Sequence, residues 1–458
     1  MAEVHKLADF VAKASIDQLS SEALDQLKIR VLDTLGVAIG ALDAQPMVAI
    51  RGLLEDLGGA PQATLIGGGK TSPERAAFFN SGLSRYLDFM DSYLAKGETN
   101  HPSDNFGAVL AAAEQTGASG AELLTALAVA YQVHTRLSDV APVRAKGFDH
   151  TTQGAYAAAA SAAKALGLPA DQIAHAIAIS GTANNALRVT RTGSLSNWKG
   201  LAYPQVAKEG TFAALLASRG ITGPAEVFEG NKGFKDSIAG PFQIDWSGED
   251  LERVRRTILK KYNAEIHSQS ALEAALEIRA RDGFRPEAIE SVHLKTFDVA
   301  YSIIGGGEEG DKRTIRTKEE ADHSLPWMLA VTLLDGELNP AQYAPERVVA
   351  DDVQALMTKV TITPDDGFSD RFPDEMPAEV EITLTDGTTF RATHNDYEGF
   401  HTHPAGWDVV EDKFTRLTGP FADESLREEI THLVRTLEEQ PTSALTDALA
   451  RVAITRTD

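Results

Sequence analysis

The sequence predicts a mainly α protein with an inserted α+β domain: a large all-helical domain formed by both ends of the chain, residues 1–259 and 398–458, and a smaller lid domain over 260–397. Three observations predict it. From Ala8 to about Arg219, small and apolar residues recur at spacings of three and four, the signature of mutually buried helices. Near residue 285 the pattern changes to apolar/polar alternation, and after Tyr397 helical spacing returns. At 458 residues the chain also exceeds the roughly 250–300 residues at which single cores stop growing.

Taken in order, the first helical pattern is IDQLSSEALDQLKIRVLDTLGVAIGAL, entered at Ser20–Glu22. NFGAVLAAAEQTG and GAYAAAASAAKALGL each end on a glycine, Gly117 and Gly167, that suits a left-handed C-terminal cap. AELLTALAVAYQVHTRL lies between them, Pro169–Asp171 opens ADQIAHAIAISGTA, and AKEGTFAALLASRG follows. AIESVHLKTF, KVTIT and AEVEITLTDGTTFRATH read as strands, with Asp386-Gly387 as a two-residue hairpin turn. One helix, Glu319 to Leu334, interrupts them. DVVEDKFTRL, ESLREEITHLVRTLEE and ALTDALARVA close the chain as helices. A cleft between two such bodies is a usual ligand site.

Composition narrows the chemistry. No cysteine is present, which excludes disulfides, Cys-type zinc sites and thiolate-ligated iron–sulfur clusters. Forty-three Lys and Arg stand against 66 Asp and Glu, a net charge of -23, which argues against nucleic acid, because phosphate neutralisation needs clustered cations. The N-terminal residues lack an apolar run of signal-peptide length and no stretch nears the roughly 18 apolar residues of a membrane span, so a soluble, cytoplasmic protein with no membrane partner is expected. In so acidic a chain, an anion site must gather its few cations locally.

Five passages carry chemistry. YLDFMDSYLAKGETNHPSDN, from Tyr86 to Asn105, holds Asp88, Asp91, Ser92, His101, Ser103, Asp104 and Asn105. If it is helical, Asp88 and Ser92 share a face. KGETN reads as a loop and HPSDN as a helix entry capped by Ser103, so a capping cluster competes with a functional reading; His101 with Asp104 makes only two metal ligands. GFDHTTQG places His150 ahead of a small-residue helix whose N-terminal partial charge favours anions and a neutral imidazole. TGSLSNWKGLAYPQVAKEG offers Lys199, with Arg188 and Arg191 upstream, as carboxylate clamps; Lys208 reads as a surface residue. KKYNAEIHSQSALEAAL contributes Lys261 and His267, and ADHSLPWMLAVTLLDG contributes Asp322, His323 and Ser324, of which Asp322 or Ser324 also suits a helix cap.

Together, DFMDS with HPSDN, GFDHTTQG, SNWKGLA, KKYNAEIHSQSALEAAL and ADHSLPWMLAVTLLDG resemble the MmgE/PrpD family of 2-methylcitrate dehydratases and cis-aconitate decarboxylases, in order along the chain. The resemblance implies a homodimer that works on small tricarboxylates without metal or cofactor. It implies active-site positions at Asp88, Ser92, His101, His150, Lys199, Lys261 and His267. Ser92 stands where the decarboxylases commonly have threonine, and Trp327 where the family more often has tyrosine. HPSDN and ADHSLP look more like the dehydratase branch.

Dehydration removes a proton beside a carboxylate while hydroxide leaves, so it needs a base, an acid and cations for growing carboxylate charge. The expected roles are His101 and His150 as base and acid, Asp88 orienting one of them, and Lys199 and Lys261 holding carboxylate charge with help from Arg188. Ser92, Asn105, His267 and His323 would hold substrate oxygens. A decarboxylase forming itaconate, or an isomerase or epimerase, needs nearly the same groups. A non-catalytic carboxylate binder would need the cations without the paired histidines. A metal-dependent hydrolase could use His401 and His403, whose spacing gives one strand face, although Gly399, Pro404 and Gly406 suggest a loop.

Overall fold

A computed structural model describes residues 2–453. The protein is mostly helical, 57% helix and 9% strand. It divides into two compact units, Met1–Arg188 with Gly200–Thr257 and Gly406–Asp458, and Val189–Lys199 with Ile258–Ala405. The sequence placed the cuts at 259/260 and 397/398. It also left 189–199 in the helical part, whereas this segment counts with the second unit.

The first unit is helical because its caps and small residues permit it. Ser20 Oγ accepts from the Ala23 N–H at 3.1 Å and opens Ser21–Gly40. Ser119 and Glu122 form a reciprocal capping box at the start of Gly120–Val140. Gly107 lets Phe106–Thr116 lie on Pro73–Tyr86: a Cβ at 107 would stand 2.5 Å from Ser81 N and Oγ and 2.8 Å from Ala77 O. Gly154 likewise makes room for the Tyr203 ring. The C-terminal return is bound to the N-terminal part by a buried ion pair, Lys413 Nζ to Asp33 Oδ1 at 2.7 Å, and Lys413 also donates to the Phe89 carbonyl. No single helix among the described residues is long and apolar enough to cross a membrane.

Two short hairpins in this unit, Ala63–Thr64 with Lys70–Thr71 and Tyr93–Ala95 with Glu98–Asn100, were not anticipated. The second replaces the expected loop at KGETN. The helix ends at Tyr86, so Asp88 and Ser92 are not related by a helical face.

The second unit is built on a four-stranded sheet in the order Val360–Pro364, Ile289–Thr296, Ala378–Leu384, Thr389–His394; its first pair is parallel and the others antiparallel. Val380, Ile382 and Leu384 are buried along Ala378–Leu384 and pack in one core with Leu294, Trp327 and Leu329. The Leu384 N–H donates to the Thr388 carbonyl, so three residues close the hairpin rather than two, with Gly387 at φ 85°. The helix expected over 319–334 is split into Lys318–Ala321 and Leu325–Asp335. Ser324 causes the restart, its Oγ accepting from the Trp327 N–H at 3.1 Å while Pro326 sits in the first turn, where no N–H is needed. Trp327 is wholly buried, donates from Nε1 to the Val348 carbonyl and stacks on Tyr343, so it is a core residue. His401 and His403 lie in a turn rather than on a strand face, and His403 is exposed.

Gly107→Ala should cost about 1–3 kcal/mol through overpacking and lower the thermal midpoint. Gly52→Ala, in a helix with nothing within 4 Å of the new Cβ, should not. Equal midpoints for the two variants would refute the close-approach argument.

Candidate active site

In the first unit the polar cluster starts where Pro73–Tyr86 ends. Asp88 adopts a left-handed backbone, φ 59°, which a non-glycine residue holds only under constraint. The constraint is Arg85, 2% exposed, whose Nη1 is 2.9 Å from Asp88 Oδ1 and whose Nε is 3.7 Å from Asp104 Oδ2. Asp88 therefore has the Arg85 guanidinium as a partner. Asp104 is likewise part of this charge pairing.

The Tyr93–Ala95 and Glu98–Asn100 hairpin then returns the chain so that His101 meets the start of its own segment. His101 Nδ1 lies 2.8 Å from the Asp91 carbonyl oxygen and 3.0 Å from Ser92 Oγ. A carbonyl can only accept, so Nδ1 carries the hydrogen and the neutral ring keeps its lone pair on Nε2. Ser92 thus fixes His101. Asp91 is buried and accepts from Ser103 Oγ at 2.6 Å and Tyr131 OH at 2.7 Å. Burial pushes its carboxyl up, and these two hydrogen bonds with the Arg30 charge oppose that. Ser103 donates into this network and caps nothing.

His150 stands at the N-cap of Thr151–Ala165. Asp149, wholly buried, lies 3.4 Å from His150 Nδ1 through Oδ1 and 3.6 Å from Arg188 Nη1 through Oδ2. Arg188 is thus partnered by a carboxylate of the protein itself, and the same Asp149 stands beside His150 Nδ1. The His101 and His150 ring centres are 5.5 Å apart at 75°. Asn105, expected to hold substrate, is engaged at both ends: Oδ1 accepts from Tyr203 OH at 2.8 Å and Nδ2 donates to the Pro102 carbonyl. Burial, followed by the Asp104 charge, keeps Tyr203 protonated far beyond neutral pH.

In the second unit the centre is Asp322, wholly buried, hydrogen-bonded by Lys199 Nζ, 2.6 Å from Lys318 Nζ and 3.0 Å from His323 Nδ1. Burial alone would raise its carboxyl; the two lysines and His323 overcome that and hold it well below the usual carboxylate range. A second carboxylate, Glu265, faces His267: Oε1 is 2.8 Å from Nδ1 and Oε2 accepts the backbone N–H at 2.7 Å. Burial is again outweighed, here by His267, His323 and Lys260, and Glu265 is held at about 2. The expected Lys261 is partly exposed and lies 3.1 Å from both Glu273 oxygens. Its neighbour Lys260 is the buried lysine, 2% exposed, beside Glu265.

Arg85, Asp149, Lys260, Glu265 and Lys318 were missed. Asp149 and Glu265 lay inside quoted motifs, one and two residues from a chosen histidine, and that adjacency was the usable signal. His134 was missed as well. It comes from Gly120–Val140, with its ring centre 6.4 Å from that of His150 and 5.5 Å from that of Tyr203. Burial drives it down to about 3, so it is neutral at physiological pH and has the character of a core histidine.

Two family models match the chain, the MmgE/PrpD N-terminal domain over residues 5–247 and the MmgE/PrpD C-terminal domain over residues 262–439. It is similar to the 2-methylcitrate dehydratase of Escherichia coli, 29% identical over 444 residues, which cover 90% of this chain and 89% of that protein. The mitochondrial 2-methylcitrate dehydratase of Yarrowia lipolytica is 28% identical over 450 residues, 92% and 84% of the two chains. The Cupriavidus necator enzyme of the same name is 28% identical over 410 residues, 83% and 82%.

The His134 shift sets a pH dependence of stability. The unfolded chain binds its proton near the ordinary histidine value of about 6.5 and the folded chain only near 3. Stability is therefore complete above the first value and falls as pH drops toward the second, by up to about 1.4 kcal/mol per pH unit. His134→Phe should remove that slope. Thermal midpoints measured from pH 7 to 4 should converge on, or cross, those of the wild type; parallel curves would show the assignment to be wrong.

Proposed function

Because the chain belongs to the MmgE/PrpD family, we propose that it is a hydro-lyase that dehydrates 2-methylcitrate to the cis-aconitate-type alkene. The observation that carries the mechanism is the pair His101 and His150, buried side by side and each held at Nδ1 by an acceptor. A binding protein for anions would need cations and donors, with no reason to build such a pair. His101, with its lone pair on Nε2, is the base for the proton beside a carboxylate. His150, backed by Asp149, is the acid at the leaving oxygen, where the carboxylate stabilises the imidazolium that must give up a proton.

The remaining demand is charge. Carboxylate charge grows as the proton departs, and cations aimed at it lower the barrier. Lys199 and Lys260 take this role, Lys260 in place of Lys261, with Lys318 sharing Asp322 with Lys199. Asp322 keeps the two lysines from repelling each other and still leaves this cluster a positive surplus. His267 and His323 hold substrate oxygens. The reading keeps the expected cytoplasmic location, and with it the homodimer and the metal- and cofactor-free chemistry that the family resemblance implies.

Purified protein should generate alkene absorbance from 2-methylcitrate in the presence of EDTA, and His101→Ala and His150→Ala should each lower kcat by about 10²–10⁴-fold. Carbon dioxide and itaconate from cis-aconitate, with no reaction of methylcitrate, would reassign the protein to decarboxylation. Unchanged turnover in both variants would remove the histidine pair.

A further inference from the structure

The proposed reaction gives His267 substrate oxygens to hold without saying which oxygen its Nε2 meets. The His267 side chain is wholly buried, and Nε2 has no hydrogen-bond partner among the described residues. A buried polar atom left unpaired is costly, and His267, unlike His134, has a carboxylate oxygen at Nδ1 that fixes which way Nε2 points. The ring is not free to turn. Glu265 grips the residue twice, at its backbone N–H and at Nδ1, and the rings of Phe297 and Phe372 lie 5.8 and 5.6 Å from the imidazole, themselves stacked 4.7 Å apart.

We propose that Glu265 is a positioning residue that fixes His267 with its hydrogen on Nδ1 and its lone pair on Nε2, and that this lone pair selects the hydroxyl group of a hydroxy tricarboxylate. The argument rests on which partners can donate. Burial would raise the Glu265 carboxyl, but the hydrogen bond from His267 and the charges of His323 and Lys260 outweigh it and keep Glu265 ionised across the physiological range. An ionised carboxylate only accepts, so in the neutral ring Nδ1 must carry the hydrogen and Nε2 must be the acceptor. A fully ionised tricarboxylate offers acceptors at every carboxylate oxygen, and none of these suits an acceptor nitrogen. Its one donor is the hydroxyl. The groups facing the dyad are therefore Lys260 and His323, which attract carboxylates, and Nε2, which accepts from the hydroxyl. A site built to pair a hydroxyl rejects the analogue that lacks it, because its own polar atom is then left unpaired.

The inference rests on the hydroxy-acid substrate proposed above, yet it can be read without turnover. Calorimetric titration of the full-length protein with citrate and with tricarballylate, which differs from citrate only in lacking the hydroxyl, gives the preference directly. The wild type should favour citrate by about tenfold or more. In Glu265→Gln the amide can donate to Nδ1 and move the ring hydrogen to Nε2, so citrate affinity should fall to that of tricarballylate while tricarballylate binding is retained. Glu265→Asp should recover part of the preference. Equal weakening of both ligands in Glu265→Gln would indicate a merely structural role and overturn the proposal. Nitrogen-15 spectra of histidine-labelled wild-type protein, with His267 assigned from a His267→Gln sample, decide the case if Glu265→Gln does not fold: a hydrogen on Nδ1 alone supports the proposal, and a hydrogen on Nε2, with or without one on Nδ1, overturns it. Absence of methylcitrate turnover with the citrate preference intact would defeat the dehydratase reading and leave the Glu265–His267 arrangement standing.

Discussion

The first unit depends most on a guanidinium that has no business being buried unless it is paired. Arg85 lies inside the helical unit with only 2% of its surface exposed and meets Asp88 and Asp104. Burying such charges costs several kcal/mol per ion before their attraction returns anything. Net stability is therefore a poor reason for the arrangement; geometry is a better one. Arg85 closes the end of Pro73–Tyr86, holds Asp88 in a left-handed turn, and ties that turn to the segment after His101. The chain between them has to fold back as a hairpin, and the fold-back brings His101 to Asp91 and Ser92.

The second unit solves its problem with the opposite sign. There a buried carboxylate, Asp322, is surrounded by Lys199, Lys318 and His323. Three partners around one anion leave a positive surplus, a local reversal of the field of a chain with net charge -23. Clustered cations without Asp322 would lose their positions to mutual repulsion. Asp322 alone, with no lysines, would take up a proton. Each member makes the ionisation of the others tolerable.

Local pattern exposed the elements, and contact decided the site. Helices bounded by Ser20, Gly117 and Gly167, and strands that alternate around Asp386-Gly387, could be read because cap and turn chemistry is written within a few residues. The Tyr93–Ala95 and Glu98–Asn100 hairpin was hidden because its strands are three residues long and its purpose is to close a polar loop. His101, His150, Lys199, His267 and His323 stood out by motif. Lys261 is partly exposed beside Glu273 while Lys260 is buried, and a sequence cannot say which of two adjacent lysines turns inward. The Asp88 ion pair was hidden for a related reason: Arg85, three residues upstream on a helix full of core residues, looks like any amphipathic arginine until its depth is known.

The histidines give the most general lesson. His101, His150, His267 and His323 each have an acceptor oxygen at Nδ1, supplied respectively by the Asp91 carbonyl, Asp149, Glu265 and Asp322. His134 does not: its Nδ1 faces Asn105 Nδ2 at 3.5 Å, and burial outweighs a backbone hydrogen bond from His150 in setting its charge. An acceptor at Nδ1 commits Nε2 to the outside partner, whether as lone pair in the neutral ring or as donor in the imidazolium, and holds the ring plane while the proton moves. A chain with 66 acidic residues has carboxylates to spare for this purpose. Three of them lie within two residues of the histidine they hold. Such short spacing makes ring orientation a property of the local backbone, so it can persist through changes in the packing around it, and it distinguishes His150, His267 and His323 from His134, which fills the core.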